Sequence, residues 1–187
     1  MRLRGLFTCA VLAGASLVLS GCAGYHLGPV KPAALAHVRS VAVPSFKNYT
    51  LEPRLEVLLA NALIKQIQQD GSYRVTSEKD ADAIIEGSVT RIERTPLRGS
   101  RSDSSPGVTA DFYQTTEFGL ELSVSIKVVE KSTGASLASR STTGTASFFV
   151  SGANPRTANV NRDELQAIPQ AAEVAAIHLT SFLSEGW

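Results

Sequence analysis

Hydrophobic and polar positions alternate most regularly between residues 117 and 128. Phe118, Leu120, Leu122, Val124, Ile126 and Val128 interleave with Glu117, Gly119, Glu121, Ser123, Ser125 and Lys127. Period two predicts a strand with one buried and one wet face, as in an antiparallel sheet covered on one side. Lys131-Ser132-Thr133-Gly134 predicts a turn. The Ser/Thr-rich stretch 135–148 then predicts a return strand whose weak pattern leaves its register loosely specified. Elsewhere the period lengthens to that of a helix. Leu55, Leu58, Leu59, Ala62, Leu63 and Ile67 recur at three- and four-residue steps, predicting a helix over Leu51–Asp70. Thr50 is its expected N-cap, Pro53 falls in its first turn, and Gly71 is its stop. A second helix is expected over 163–184, burying Leu165, Ile168, Ala172, Ala175, Leu179, Phe182 and Leu183. Pro169 should kink or restart it, and its alanines permit close packing on a sheet.

Shorter segments complete the pattern. Arg39–Val43 predicts a strand stopped by Pro44, Phe46–Thr50 a turn, and Tyr73–Val75 a short strand. A further strand opens at Asp80-Ala81-Asp82-Ala83-Ile84-Ile85-Glu86-Gly87-Ser88-Val89 and runs to about Glu93. Gly87 within it predicts close approach of another chain segment. Residues 95–115 and 151–161 read as loops, the first carrying Pro96, Gly99, Pro106 and Gly107. The order β-α-β-β-β-β-α gives an α+β fold, with two helices packed on one face of a mixed, mostly antiparallel sheet. The other face is left polar or reserved for a partner.

The N-terminus has a different pattern. Arg2 and Arg4 precede an apolar run from Leu6 to Leu19, followed by Ser20-Gly21-Cys22. This is the layout of a secretory signal peptide. The run, about 14 residues, is short for a bilayer span. Leu19-Ser20-Gly21-Cys22 resembles a bacterial lipobox, which implies cleavage before Cys22 and acylation of its thiol and new amino group. Two or more acyl chains anchor stably where one is marginal. An ordinary signal peptide with a chance cysteine is the alternative. The expected organisation is a cleaved signal peptide (1–21), a Gly/Pro/Ala-rich lipidated tether (22–37) and a single domain (38–187).

Cleavage removes Cys9, and lipid consumes Cys22, so no thiol remains for catalysis, metal or disulfide. Loss of Arg2 and Arg4 takes the net charge from +1 to −1. This balance and a 6% aromatic content argue against nucleic acid as a partner. No motif calls for a cofactor, and no enzyme is expected. His26, His37 and His178 stand at no metal spacing, and glycine-rich phosphate loops are absent. Asp80, Asp82 and Glu86 could pair as acid and base, but a solvated strand entry explains them as well. Arg91, Arg94, Arg98 and Arg101 form a modest basic stretch. Guanidinium groups suit anionic headgroups. With Glu93 and Asp103 as counter-charges, they also suit a solvated loop base.

Four segments together resemble the lipopolysaccharide-assembly lipoprotein (LptE-like) family. They are the lipobox running into Cys22-Ala23-Gly24-Tyr25-His26-Leu27, the stretch Val41-Ala42-Val43-Pro44-Ser45-Phe46-Lys47-Asn48-Tyr49-Thr50, the strand Ala81–Val89, and the alanine-rich last helix ending near Trp187. The resemblance covers nearly all of 22–187. It implies two helices on a four-stranded sheet, one short strand fewer than the pattern gives. It implies a lipid-anchored outer-membrane protein on the periplasmic side, with Ala23 matching the sorting pattern for that membrane. It also implies a partner, an LptD-like β-barrel translocon that the lipoprotein plugs, and lipopolysaccharide as the cargo inserted into the outer leaflet. No family site transfers residue by residue. Arg94, Arg98 and Arg101 are the candidate lipopolysaccharide contacts, and Cys22 the lipid attachment site. The alternative from another class is a periplasmic lipoprotein regulating a cell-wall synthase or secretion channel.

Overall fold

A computed structural model describes residues 31–102, 112–150 and 160–185. The signal peptide, Cys22, His26 and most of the tether lie outside the described residues. A 3-10 turn, Ala33–Leu35, precedes β1 (Ser40–Ala42), β2 (Lys47–Asn48), α1 (Leu55–Asp70) and β3 (Arg74–Val75). Then follow β4 (Ala83–Ser102), β5 (Phe112–Glu130), β6 (Ser136–Phe149) and α2 (Val160–Glu185). Among the described residues, no helix is long and apolar enough to cross a membrane.

The strands form one sheet in the order β3-β1-β4-β5-β6, with β2 also paired to β4. The class is α+β with two helices, but the sheet has six strands rather than four and is not mostly antiparallel. The pairings β1–β3, β1–β4 and β2–β4 are parallel; only β4–β5 and β5–β6 are antiparallel. The reason is a crossover: α1 carries the chain from β1 to its parallel neighbour β3. β1 and β3 stand where Arg39–Val43 and Tyr73–Val75 predict strands, but strands of two or three residues show no period that would reveal their parallel pairing. Lys47–Asn48 also joins the sheet rather than turning. The Phe46 ring folds onto Gly87, where a Cβ would overlap it, and β2 then resumes the ladder at Ser88 and Val89.

β4 and β5 extend through much of the stretch expected as loop, pairing as far as Ser102 and Phe112. Register shifts between Pro96 and Arg98 and between Arg98 and Gly99 accommodate the proline. On β5 the alternation holds: Leu120, Leu122, Val124, Ile126 and Val128 are all buried. They face the core shared with α1 and α2.

α1 starts at Leu55, four residues later than expected at Leu51, and Thr50 does not cap it. Arg54, in the left-handed region at φ 68°, takes the N-cap position without a side-chain bond. Gly71 ends the helix as expected, at φ 76° with its N–H donating to the Ile67 carbonyl. α2 runs unbroken through Pro169, so the proline does not restart it. Its core face is rich in alanine, and it crosses β6 at Gly144. A Cβ on Gly144 would fall on the Ala171 carbonyl and 2.8 Å from the Ala175 nitrogen, so glycine sets how close helix and sheet lie. One expected core residue is wrong: Leu165 is 60% exposed, whereas Glu164 beside it is only 5% exposed.

Packing begins inside the stretch read as tether. Leu35 and Val38 are buried. The Lys31 ammonium donates to the Val38 carbonyl at 2.8 Å and lies 4.1 Å above the Tyr73 ring. Burial pushes the Tyr73 phenol up to about 12, and its hydroxyl donates to the Leu183 carbonyl at 2.6 Å.

Candidate functional site

Arg94 and Arg98 do not converge. Arg94 stands in register with buried Leu120 and turns toward the helices. Its guanidinium meets the Glu164 carboxylate at 2.5 Å and lies 3.9 Å from Glu52. It thus ties β4 to the first turns of α2 and to the segment entering α1, which explains why Glu164 is buried and Leu165 is not. Past the register shift, Arg98 stands opposite Glu117 with Nε 3.8 Å from Oε2, on the other face of the sheet. Arg101 pairs with Tyr113 on the extended hairpin.

Asp82, Glu130, His37 and His178 have local partners. One oxygen of Asp82 accepts the Arg39 and Ser40 backbone N–H groups at 3.0 and 2.9 Å and the Ser40 hydroxyl at 2.9 Å. The Ser40 and Arg39 N–H groups hold the Asp82 carboxyl below its usual range. This group pins β1 to β4 and leaves no free acid/base pair at Asp82. The Glu130 carboxyl is likewise lowered, first by the Thr133 hydroxyl and then by His37, whose Nε2 lies 2.9 Å away. His178 Nδ1 is 3.1 Å from the Thr143 carbonyl.

Sequence reasoning missed the role of Asn48. Its Oδ1 accepts from the Thr50 N–H and hydroxyl at 2.9 and 2.8 Å. Its Nδ2 donates to the Glu52 carbonyl at 2.7 Å and to Glu56 at 2.9 Å. The Asn48-Tyr49-Thr50 tripeptide therefore shapes the entry to α1, where a helix cap was expected. The signal was the Asn-x-Thr spacing, typical of an Asx turn.

The sheet face away from the helices carries neither α1 nor α2. Register places Glu86, Lys127 and Ser139 in one row, then Ser88, Ser125 and Ser141, then Arg91, Ser123 and Thr143. Glu93, Glu121 and Thr145 follow, then Thr95, Gly119 and Ser147. Opposite charges pair along and across it: Arg91 with Glu93 at 2.8 Å, and Arg98 with Glu117. Ser88 and Ser125 share a hydroxyl hydrogen bond of 2.8 Å. A shallow groove of about 650 Å³ lies across these strands, flanked by Lys47 and Tyr49 on one side and Ser139 and Ser141 on the other. Two large apolar side chains are exposed toward the hairpin end, Leu97 at 58% and Phe149 at 63%.

Known proteins with this architecture include a protein described as a neuraminyllactose-binding hemagglutinin homolog from Helicobacter pylori. It shares 12% identity over 86% of this chain and 89% of its own, with a TM-score of 0.50, which speaks to the fold alone. PelC from Paraburkholderia phytofirmans, a dodecamer, shares 17% identity over 84% of this chain and 96% of its own, with a TM-score of 0.48. A minor lipoprotein from Acinetobacter baumannii shares 15% over 78% and 91%, with a TM-score of 0.47. No curated protein matches the chain. The model of the lipopolysaccharide-assembly family LptE matches residues 38–183, nearly the whole described fold. The chain belongs to the LptE lipopolysaccharide-assembly family.

Proposed function

We propose that the chain is an outer-membrane lipoprotein, anchored through acylated Cys22 on the periplasmic side, that assembles with an LptD-like β-barrel and takes part in inserting lipopolysaccharide into the outer leaflet. The family match over residues 38–183 is the observation that carries the reading. The lipobox supplies the anchor, and the described surface offers a broad polar face where an enzyme would need a converging set of reactive groups. In this proposal the protein performs no chemistry; its contribution is to occupy and organise the barrel. Arg98 and Arg101, on the extended hairpin, remain the proposed contacts for lipopolysaccharide phosphates. Arg94 is a weaker candidate, because Glu164 already occupies its guanidinium.

The test is affinity isolation of the tagged, full-length chain from detergent-solubilised envelopes, with partners identified by mass. A stoichiometric outer-membrane β-barrel supports the reading. A cell-wall synthase or a secretion channel in its place overturns it. A Cys22→Ser variant should leave the membrane fraction if the anchor is as proposed.

A further inference from the structure

We infer that the hydroxyl-rich outer face of β4, β5 and β6 is the surface applied to the inner wall of the barrel, sheet face against sheet face, with the helices turned toward the lumen. The inference rests on the barrel-partner reading above and adds to it which side of the domain makes the contact.

β6 forms one edge of the sheet. From Ala138 to Phe149 it pairs with β5 without a register shift, and β5 is its only strand neighbour among the described residues. Arg140 is its one charged residue, and it contains no proline. Proteins that live free in water protect long edges with charge, proline or bulges, because an open ladder recruits other chains. Here the centre of the edge has a modest guard, His178 at the Thr143 carbonyl. Such an edge is tolerable when the domain is enclosed. A closed barrel offers no free edge to pair with, so contact has to come through a face.

Two faces are available. The helical surface is ordinary for water: the Lys65–Glu173 ion pair at 2.8 Å, glutamines, and scattered Val57 and Ile177. The sheet face differs. Ser139, Ser141, Thr143, Thr145 and Ser147 are exposed at every second position of β6. Among the described residues, their hydroxyls make no hydrogen bond within the chain. Each can donate and accept, and short side chains lose little rotamer freedom on docking. On this face Arg91 pairs with Glu93 and Arg98 with Glu117, and Glu86 stands in register with Lys127, so both signs are interspersed, which suits a polar wall rather than an acidic or basic one. The lumen side of a membrane barrel is polar, and sheets stack face to face at about 10 Å. Hydroxyls can bridge such a gap directly or through water. Leu97 and Phe149 add apolar contact points at one end of the same face.

The experiment places a photo-crosslinking amino acid, one site at a time, in the full-length lipidated chain in living cells. The outer-face sites are Ser125, Thr143 and Ser147; the helical sites are Val57, Gln66 and Ile177. Adducts with the barrel from the first set, at least about fivefold stronger than from the second, are the expected result. Barrel adducts mainly from the helices, or equally from both sets, overturn the inference and leave the barrel reading standing. Outer-face adducts with lipopolysaccharide in place of the barrel overturn it too. No barrel adduct from any site removes the barrel reading as well. As a second measurement, the S125E/T143E double variant should lower barrel recovery at least about tenfold, because charge is forced into a contact built for hydroxyls. Its thermal midpoint should stay within about 5 °C of the parent's, the loss of the Ser88–Ser125 hydrogen bond included. Unchanged recovery overturns the inference.

Discussion

The two faces of the β4–β5–β6 sheet come from the same residues in alternation, yet they obey different constraints. On the helix side there is no slack: the valine, leucine and isoleucine row of β5 is buried, and Gly144 is pressed against α2. On the other side, serines and threonines stand in regular rows whose hydrogen-bonding capacity is mostly unspent. The first face is specified by the fold. The second is compatible with the fold but is not required by it, so its composition speaks to what lies against it.

Substitutions can break this contrast. The largest effect is expected for Gly144→Val, which drives a branched side chain into the α2 backbone; a loss of about 3 kcal/mol or more is expected in denaturant unfolding, or failure to fold. Leu122→Ala should cost about 3 kcal/mol by leaving a cavity in the centre of the core. Glu164→Ala should cost about 1–2 kcal/mol, since Arg94 keeps partial access to water. A double-mutant cycle with Arg94→Ala measures the coupling and separates a structural clamp from a ligand contact. On the open face, Ser139→Ala, Ser141→Ala and Thr143→Ala should each stay within about 0.5 kcal/mol of the parent. A large loss there would mean that this face, too, serves the fold.

Acid sharpens the picture of the β1 attachment. The folded-state carboxyls of Asp82 and Glu130 are lowered by their hydrogen-bond donors. Their stabilisation is therefore complete above the unfolded-state carboxylate value and is lost as pH falls through the folded value. The thermal midpoint should drop on acidification below about pH 4, and Asp82→Asn should flatten that slope while lowering the midpoint at neutral pH.

The sequence made the long elements legible because their periods are long enough to count. β5 and α1 announced their buried faces through Leu122 and Leu63, and Gly71 marked a helix end. The parallel half was legible only in part: Arg39–Val43 and Tyr73–Val75 read as strands, but Lys47–Asn48 has no period, and its place depends on Phe46 folding onto Gly87, a tertiary contact. Gly87 did signal close approach, though not of which partner. Pro96 and the serines after it looked like a loop because a bulged strand and a loop share the same residues. Leu165 was misplaced because apolar periodicity says nothing about a buried carboxylate, and only the Arg94 contact turns that helix position around. The candidate site was legible in kind, as a polar face left over by two helices. It was not legible in detail, because register decides which hydroxyls align.

The role in lipopolysaccharide delivery is best tested by following newly made lipopolysaccharide in cells depleted of this chain. Labelled lipopolysaccharide should stop reaching the outer leaflet and accumulate behind it, and the wild-type chain should restore delivery while the S125E/T143E variant should not. Normal delivery in the absence of the chain would overturn the proposed role.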